Sequence, residues 1–345
     1  MSISESSISY LKKLLDEKTD VLITTHYNPD GDAIGSSLAL YHFLYSLGIQ
    51  PKVLIPNELP SFLHWLPGIE QAVIYSTNPE SGQEMIASAD LIFCMDYNAL
   101  NRVKLFTDEL AASSATRVII DHHIQPDNEF DLVFSVINVS STAELLYQII
   151  DEAGYSDSIT KEMAECLFVG IMTDTGSFSY ACNRPETFQI AANLIKTGLD
   201  VEKVHRMVYD TYSESRMRLL GQCLGSNMKV LPEFATAYIW LTKEDLANYD
   251  YQQGDTEGVV NYALSIQNVA VAALFTERGD RIRVSLRSKG DFSVNEFARA
   301  HFNGGGHRNA AGGDILKTMP EALSWFESLL PAYSDEIQKS LANYK

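Results

Sequence analysis

Short apolar runs alternate with longer amphipathic stretches over roughly the first 200 residues of the chain. The runs at 21–23, 52–56, 91–96 and 117–123 have the length and the β-branched content of buried strands. The stretches between them repeat apolar residues at the helical interval, as at 38–44. This alternation predicts an α/β fold whose larger domain has a mainly parallel sheet with helices on both faces.

Two helices are predicted after the last of these strands. Ser141 and Glu144 have the spacing of a capping box, which favours a helix over 145–152 that Gly154 ends. A second helix is predicted from about 160 to 172, immediately before Asp174. As a cap, Ser141 and Glu144 are expected to be structural and not catalytic.

The pattern changes in the second half of the chain. Residues 184–223 are helical in period, and strand-like alternation returns at 236–241, 269–275 and 281–286, with a helix predicted over 292–301. We therefore predict three parts. They are a large catalytic α/β domain at 1–200, a helical linker at 201–225, and a smaller α/β domain with a mixed sheet at 226–345.

Composition limits the possible partners. The 345 residues are 46% hydrophobic and 21% charged, which is typical of a folded soluble protein, and the formal net charge is −19. Such a charge argues against a surface for long duplex nucleic acid, which needs basic stripes. The four cysteines are scattered, the N-terminal segment lacks a signal-peptide pattern, and no apolar run has the length of a membrane span. We therefore expect a cytoplasmic protein with reduced thiols and no membrane association.

Metal-capable side chains follow four segments of the predicted first domain. Each one alone has an ordinary explanation as a turn or a helix cap, but the carboxyl ends of neighbouring parallel strands meet at one edge of a sheet. Carboxylates and imidazoles in this number exceed the needs of one ion and suit two ions that share a bridging carboxylate. The side chains are His26, Asp30, Asp32, Asp96, Asp121, His122, His123 and Asp174.

This order of motifs resembles the four motifs of the DHH phosphoesterase family. The glycine cluster at 304–306 followed by His307 resembles the DHHA1 domain that accompanies them. The size and the two-domain plan are most similar to the bacterial branch of oligoribonucleases and pAp phosphatases. The glycine cluster distinguishes the chain from family II pyrophosphatases, and its length distinguishes it from a full RecJ exonuclease.

The resemblance implies a site for two Mn²⁺ ions, with Mg²⁺ or Co²⁺ as the alternative ions. It implies that His123 contacts the scissile phosphate and that Asp121 orients a histidine. The ligands that it implies are His26 and Asp30 for one ion, Asp32, His122 and Asp174 for the other, and Asp96 as the bridge.

The predicted second domain contains a local excess of basic residues. Between residues 278 and 308 there are seven arginines and lysines against three acidic residues. We expect Arg287 to bind a phosphate bidentately. Gly304, Gly305 and Gly306 are expected to let backbone N–H groups approach a phosphate, and His307 to add a charge-assisted hydrogen bond. In the first domain Arg102 is a further candidate for substrate binding, whereas the arginine that relatives often place near Ser179 is absent.

Taken together, the sequence predicts a metal-dependent phosphoesterase that hydrolyses short oligoribonucleotides and linear dinucleotides to mononucleotides, and pAp to AMP. Its expected partner is a short RNA or a nucleotide, and the oligomeric state, a homodimer included, stays open. Three alternatives also stay open. They are a phosphatase that acts mainly on pAp, a phosphodiesterase for cyclic dinucleotides, and a catalytically silent nucleotide-binding protein.

Overall fold

The fold is seen in a computed structural model that describes residues 3–17, 19–252 and 254–344. Residues 1 and 345, the outer ends of the predicted domains, lie outside these ranges. The chain divides into two compact units, one reaching to Thr211 and the other beginning at Tyr212, and each unit is built on one six-stranded sheet. The prediction of a two-domain α/β protein is confirmed.

The sheet of the N-terminal unit is entirely parallel, in the order β3-β2-β1-β4-β5-β6. The order reverses between β1 and β4, which are neighbours in the sheet although two strands separate them in the chain. In open α/β sheets such a reversal opens a crevice at the carboxyl ends of the strands. The strands are β1 (Val21–Thr25), β2 (Lys52–Ile55), β3 (Ala72–Ile74), β4 (Leu91–Met95), β5 (Thr116–Asp121) and β6 (Leu132–Ser135).

Helices cover both faces of this sheet, as predicted. Along β1, Val21 and Ile23 face one hydrophobic cluster while Leu22 faces the other, because side chains alternate along a strand. Both faces are buried, which explains the nearly continuous apolar strand sequences. The helices are α1 (Glu5–Glu17), α2 (Gly31–Ser46), α3 (Pro79–Ser88), α4 (Thr107–Ala112), α5 (Thr142–Glu152), α6 (Lys161–Asp174), α7 (Pro185–Lys196) and α8 (Val201–Tyr209).

Helices α2 and α6 approach each other closely because Gly35 has no side chain. A Cβ atom at Gly35 would lie 2.5 Å from the carbonyl oxygen of Cys166 and 2.9 Å from the backbone nitrogen of Gly170, both in α6. The two helices carry Asp32 at the start of α2 and Asp174 at the end of α6. Their close packing therefore fixes the separation of two predicted ligands.

The sheet of the C-terminal unit is mixed, in the order β11-β12-β10-β9-β8-β7. Only the β8–β9 pair is parallel among the described strands, and the other neighbours are antiparallel. The strands are β7 (Met228–Leu231), β8 (Thr236–Leu241), β9 (Val271–Arg278), β10 (Arg281–Ser288), β11 (Gly305–His307) and β12 (Ala310–Ile315). The helices are α9 (Glu214–Gly225), α10 (Lys243–Asn248), α11 (Val259–Leu264), α12 (Val294–His301) and α13 (Met319–Tyr344).

The C-terminal sheet also has a hydrophobic cluster on each face. Strand β10 shows the strict alternation of a half-exposed strand, with Ile282, Val284 and Leu286 buried and Arg281 and Arg283 exposed. None of the helices among the described residues combines the length and the apolar character that crossing a membrane requires.

Candidate functional site

The loop between β1 and α2 brings the first motif to the carboxyl edge of the parallel sheet. Its histidine, His26, is buried and pairs Nδ1 with the carbonyl of Tyr27 at 3.0 Å, which leaves Nε2 for the site. Asp30 is the N-cap of α2, where its Oδ1 accepts the backbone N–H groups of Asp32 and Ala33 at 3.0 and 3.1 Å. The cap uses one carboxylate oxygen of Asp30.

Asp96 follows β4 directly and lies beside His26, because Thr25 and Met95 are paired in neighbouring strands. Its backbone is left-handed, with φ of +61°, a conformation that aspartate tolerates better than most residues. Its two oxygens face different histidines. Oδ2 lies 3.5 Å from Nε2 of His26, and Oδ1 lies 3.6 Å from Nε2 of His122.

The ring of His122 is surrounded by carboxylates. Besides Asp96, its Nε2 lies 3.8 Å from Oδ2 of Asp32 and 3.5 Å from Oδ2 of Asp174. The side chain of Asp32 is only 1% exposed, whereas that of Asp174, at the end of α6, is 27% exposed. The group therefore extends from the protein interior to an accessible rim.

The structure brings the six predicted ligands together as two groups of donors. Within each group, one donor atom of each residue lies within 4.8 Å of the donor atoms of the others. Asp96 also forms a group of this kind with Asp121 and His123. The first group consists of His26, Asp30 and Asp96, and the second consists of Asp32, His122 and Asp174.

The electrostatics of this cluster fit bound cations. Burial, and then the neighbouring carboxylates Asp96 and Asp30, raises the pKa of Asp32 well above its ordinary value. Burial likewise raises the pKa of Asp96, with Asp30, Asp121 and Asp174 as the next causes. Divalent cations relieve such repulsion, and oxygen with imidazole is a donor set that Mn²⁺ accepts.

Two of the histidines, His26 and His123, are set to be neutral, which is the form that binds cations. Burial is the largest cause that lowers the pKa of His26, and the Arg102 guanidinium lowers it further. Burial, Arg102 and His26 lower the pKa of His123 to about 3. Arg102 therefore lies near the cluster, and its own Nε is buried without a hydrogen bond to any residue that the structure describes.

The predicted phosphate-binding residues of the C-terminal unit lie on adjoining strands. Arg287 in β10 and His307 in β11 both pair with Ala310 of β12, so the two side chains lie on one face of the sheet with a small residue between them. Arg287 also donates from Nη1 to the carbonyl of Leu286 at 3.0 Å.

The glycines beside His307 have a steric function in the unit. A Cβ atom at Gly304 would overlap the carbonyl oxygen of Gly312, and Gly306 has a φ of +147°. The N–H of Gly306 is donated to Oδ1 of Asn295 at 2.9 Å, and that of Gly304 to the carbonyl of Ala298 at 3.3 Å. The N–H groups of Gly304 and Gly306 therefore have partners inside the unit.

The structure adds residues that the sequence reasoning missed. Thr142 donates its hydroxyl to Oδ1 of Asp96 at 2.8 Å. Asn57, after β2, accepts the N–H of Asn28 at 2.7 Å and donates back to that side chain at 3.1 Å, which supports a left-handed residue in the first motif. The signal that could have identified both residues is a polar residue just before or after an apolar run. Thr142 lies within the predicted helix cap, where such a residue has an ordinary structural explanation.

The loop after Asp174 lacks the arginine that relatives often place near Ser179, and its backbone is unusual. Gly176, Ser177 and Phe178 have φ values of +53°, +57° and +61°, so the chain makes a left-handed turn there. The next arginine along the chain, Arg184, has its Nε 3.5 Å from the carboxylate of Glu186.

Comparison with known proteins assigns both units. The model of the DHH family, N-terminal domain, matches residues 20–171, and that of the DHHA1 domain matches residues 232–337. The bifunctional oligoribonuclease and PAP phosphatase NrnA of Thermus thermophilus is 30% identical over 321 residues, covering 93% of this chain and 91% of its own. The protein of the same name from Bacillus subtilis is 26% identical over 299 residues, covering 86% and 89%.

A solved structure shows the same architecture over nearly the whole length. It is an exopolyphosphatase-related protein from Bacteroides fragilis, with 43% identity and a TM-score of 0.93, and the match covers 97% of this chain and 98% of that one. The motifs, the two sheets and the relatives that match most of the chain all indicate the same family. The chain belongs to the DHH family and carries a DHHA1 domain in its C-terminal unit.

Proposed function

We propose that this protein is a metal-dependent phosphoesterase that hydrolyses short oligoribonucleotides and linear dinucleotides to mononucleotides and converts pAp to AMP. The observation that carries the proposal is the position of Asp96, whose two oxygens each face a histidine of a different donor group. A carboxylate shared by two groups of ligands is the arrangement that two-ion phosphoesterases require. The names of the full-length relatives from Thermus and Bacillus support this substrate class.

The proposed ion positions follow the donor groups. His26 and Asp30 would hold one cation, Asp32, His122 and Asp174 would hold the other, and Asp96, which faces a histidine of each group, would be shared. When bound, two divalent cations supply positive charge for the phosphate oxygens and lower the pKa of water. Mn²⁺ is the proposed ion, with Mg²⁺ or Co²⁺ as substitutes. The protein holds its ligands in place before substrate arrives, because most of them are buried and hydrogen-bonded.

His123 is proposed to contact the scissile phosphate. Its Nδ1 lies 2.7 Å from Oδ1 of Asp121, so a neutral ring that donates there presents Nε2 as its second nitrogen. Arg102, whose charge lies close enough to lower the pKa of His123, is proposed to bind a phosphate oxygen.

The C-terminal unit is proposed to bind the phosphate that is not cleaved. Arg287 and His307 flank Ala310 on one sheet face, and strands in a sheet are about 4.8 Å apart, so the two backbones are about 10 Å apart. Long side chains of this kind can reach one phosphate from both sides. Gly305 lies beside them in β11.

The test uses purified protein with Mn²⁺ and separate reactions on pAp, pApA, a five-nucleotide RNA, cyclic di-AMP and pyrophosphate, with products separated by chromatography. AMP from pApA and mononucleotides from the short RNA support the proposal. Phosphate released from pAp alone identifies a narrower phosphatase, and turnover of cyclic di-AMP alone identifies a cyclic dinucleotide phosphodiesterase. No turnover of any substrate by protein with bound Mn²⁺ identifies a binding protein and contradicts the proposal.

A further inference from the structure

The first turn of α5 is hydrogen-bonded to two carboxylates of the proposed metal centre. The helix begins at Thr142 after its N-cap Ser141, and its first two backbone N–H groups are not donated within the helix. Thr142 donates its N–H to Oδ2 of Asp32 at 2.7 Å, and Ala143 donates its N–H to Oδ1 of Asp32 at 2.9 Å. Both oxygens of Asp32 are therefore fixed by backbone groups.

Thr142 also contacts the other donor group through its side chain. Its hydroxyl donates to Oδ1 of Asp96 at 2.8 Å, and the three residues Thr142, Asp32 and Asp96 are at most 2% exposed. One residue thus holds a carboxylate from each of the two groups of donors. Water cannot replace these contacts easily at such burial, so their geometry depends on the protein alone.

The turn has a second buried network that does not reach the donors. Glu144, fully buried, accepts hydrogen bonds from the N–H and hydroxyl of Ser140 at 3.2 and 2.6 Å and from the hydroxyl of Thr187 at 2.7 Å. In a capping box Glu144 would accept the N–H of Ser141, but its carboxylate instead accepts the N–H of Ser140. Thr187 therefore makes the same kind of bond as Thr142, from a hydroxyl to a buried carboxylate, but its partner is Glu144 and not a proposed ligand.

We propose that Thr142 is a positioning residue of the metal centre, whose hydroxyl fixes Asp96 so that its two oxygens stay directed at the two donor groups. The inference rests on the proposed two-ion site and does not depend on which substrate is cleaved. A carboxylate that ligates a metal is commonly oriented by a hydrogen bond of this kind, and loss of such a partner weakens metal binding. An ordinary cap residue would stabilise the helix and leave cation affinity unchanged.

The test compares Thr142→Val, which removes the hydroxyl at nearly constant shape, with Thr142→Ser, which keeps it. Mn²⁺ binding is measured by calorimetry, and the exchange coupling between two bound Mn²⁺ ions by electron paramagnetic resonance. We expect Thr142→Val to lose about 10- to 100-fold in Mn²⁺ affinity with a weaker coupled signal, and Thr142→Ser to stay within about threefold of the original protein. If Thr142→Val does not fold, Thr142→Ala against Thr142→Ser gives the same comparison.

Thr187→Val is the matched control. It removes a buried bond from a threonine hydroxyl to a carboxylate, so it lowers thermal stability, but it is expected to keep Mn²⁺ affinity within about threefold. Equal affinity in the Thr142→Val and original proteins overturns the positioning role and leaves the proposed function intact. Equal losses in Thr142→Val and Thr187→Val also overturn it, because they indicate a structural effect. Absence of Mn²⁺ binding by the original protein overturns the proposed function and this inference together.

Discussion

Asp121 holds His123 through both of its carboxylate oxygens. Oδ1 lies 2.7 Å from Nδ1 of the ring, and Oδ2 accepts the backbone N–H of His123 at 3.0 Å. Asp121 is the last residue of β5 and fully buried, so the sheet fixes the carboxylate that orients the ring. This relationship supports the proposal that the aspartate of the Asp-His-His motif orients a histidine, unlike the residues of the two donor groups.

Replacing Asp121 by asparagine tests that assignment. One polar atom of the amide is a donor and faces a donor of His123, so the ring loses its fixed tautomer. We expect kcat on pApA to fall about 10- to 100-fold, as for other partners that orient an active histidine. Asp131→Asn is the control, because this exposed side chain accepts one backbone N–H, from Arg117, outside the site. An unchanged kcat in Asp121→Asn would show that the contact only supports the fold.

The repulsion among the carboxylates predicts an unusual stability effect at Asp96. Asparagine keeps the shape and tolerates the left-handed backbone, whereas alanine would add strain. In EDTA at neutral pH we expect Asp96→Asn to unfold at a higher temperature than the original protein. A rise of about 2–4 °C is what about 1 kcal/mol produces in a domain of 150–250 residues. With Mn²⁺ the order should reverse, because the original protein gains binding energy and the variant loses a ligand.

The difference in stability between Asp96→Asn and the original protein in EDTA should depend on pH in a definite direction. Burial, and then the neighbouring carboxylates, raises the pKa of Asp96 in the folded, cation-free protein, so the folded state binds this proton more tightly than the unfolded state does. Stability from this group is therefore complete below the ordinary aspartate pKa of about 4 and is lost as the pH rises toward the raised value. The advantage of Asp96→Asn in EDTA should shrink as the pH is lowered toward 4. An advantage that grows on acidification would contradict the account.

The close packing of α2 against α6 predicts that Gly35→Ala is destabilising. The added methyl would meet backbone atoms of Cys166 and Gly170, which cannot move as a flexible side chain can. Overpacking of this kind costs about 1–3 kcal/mol, measured by urea unfolding. Gly221→Ala, in α9, is the control, since no heavy atom of the described residues beyond its own helix backbone lies within 4 Å of its Cβ position, and alanine favours a helix by about 1 kcal/mol. Equal effects of the two substitutions would contradict the packing argument.

Much of this fold was predictable because its signals are local. The buried strands are almost wholly apolar, and the prediction at 91–96 differs from the observed Leu91–Met95 by one residue. The predicted helix at 145–152 begins earlier, at Thr142, because the N-terminal turn consists of polar residues whose partners lie elsewhere in the chain. Short strands such as Ala72–Ile74 and Leu132–Ser135 carry too few residues for a periodic pattern, and they were not predicted.

The site was predictable to the extent that it depends on residue type. Carboxylates and histidines after strands predict a cation site, since parallel strands end at one edge of the sheet. The sequence does not show which residues far apart in the chain form hydrogen bonds with each other. Thr142 and Asp96 are 46 positions apart, and the partner of the Gly306 N–H is Asn295 in a different element. Those hydrogen bonds follow from the packing of the elements and not from any local motif.

The proposed role of His307 predicts that its replacement changes KM and not kcat. If His307 binds the phosphate that is not cleaved, His307→Ala should raise KM for pApA about tenfold or more with little change in kcat, as the loss of about 1.4 kcal/mol of uniform binding would. His301→Ala is the control, because His301 pairs with the hydroxyl of Tyr333 at 2.7 Å and its ring packs against Phe297. A fall in kcat with unchanged KM would instead assign His307 to the chemical step.

The central claim is that the N-terminal unit holds two cations that share Asp96. The most direct measurement is the number of Mn²⁺ ions bound per chain, determined by native mass spectrometry for the original protein and for Asp96→Asn. The account predicts two ions on the original protein and a second ion lost or bound at least about tenfold more weakly in the variant. One ion or none on the original protein, or two ions held equally well by Asp96→Asn, would contradict it.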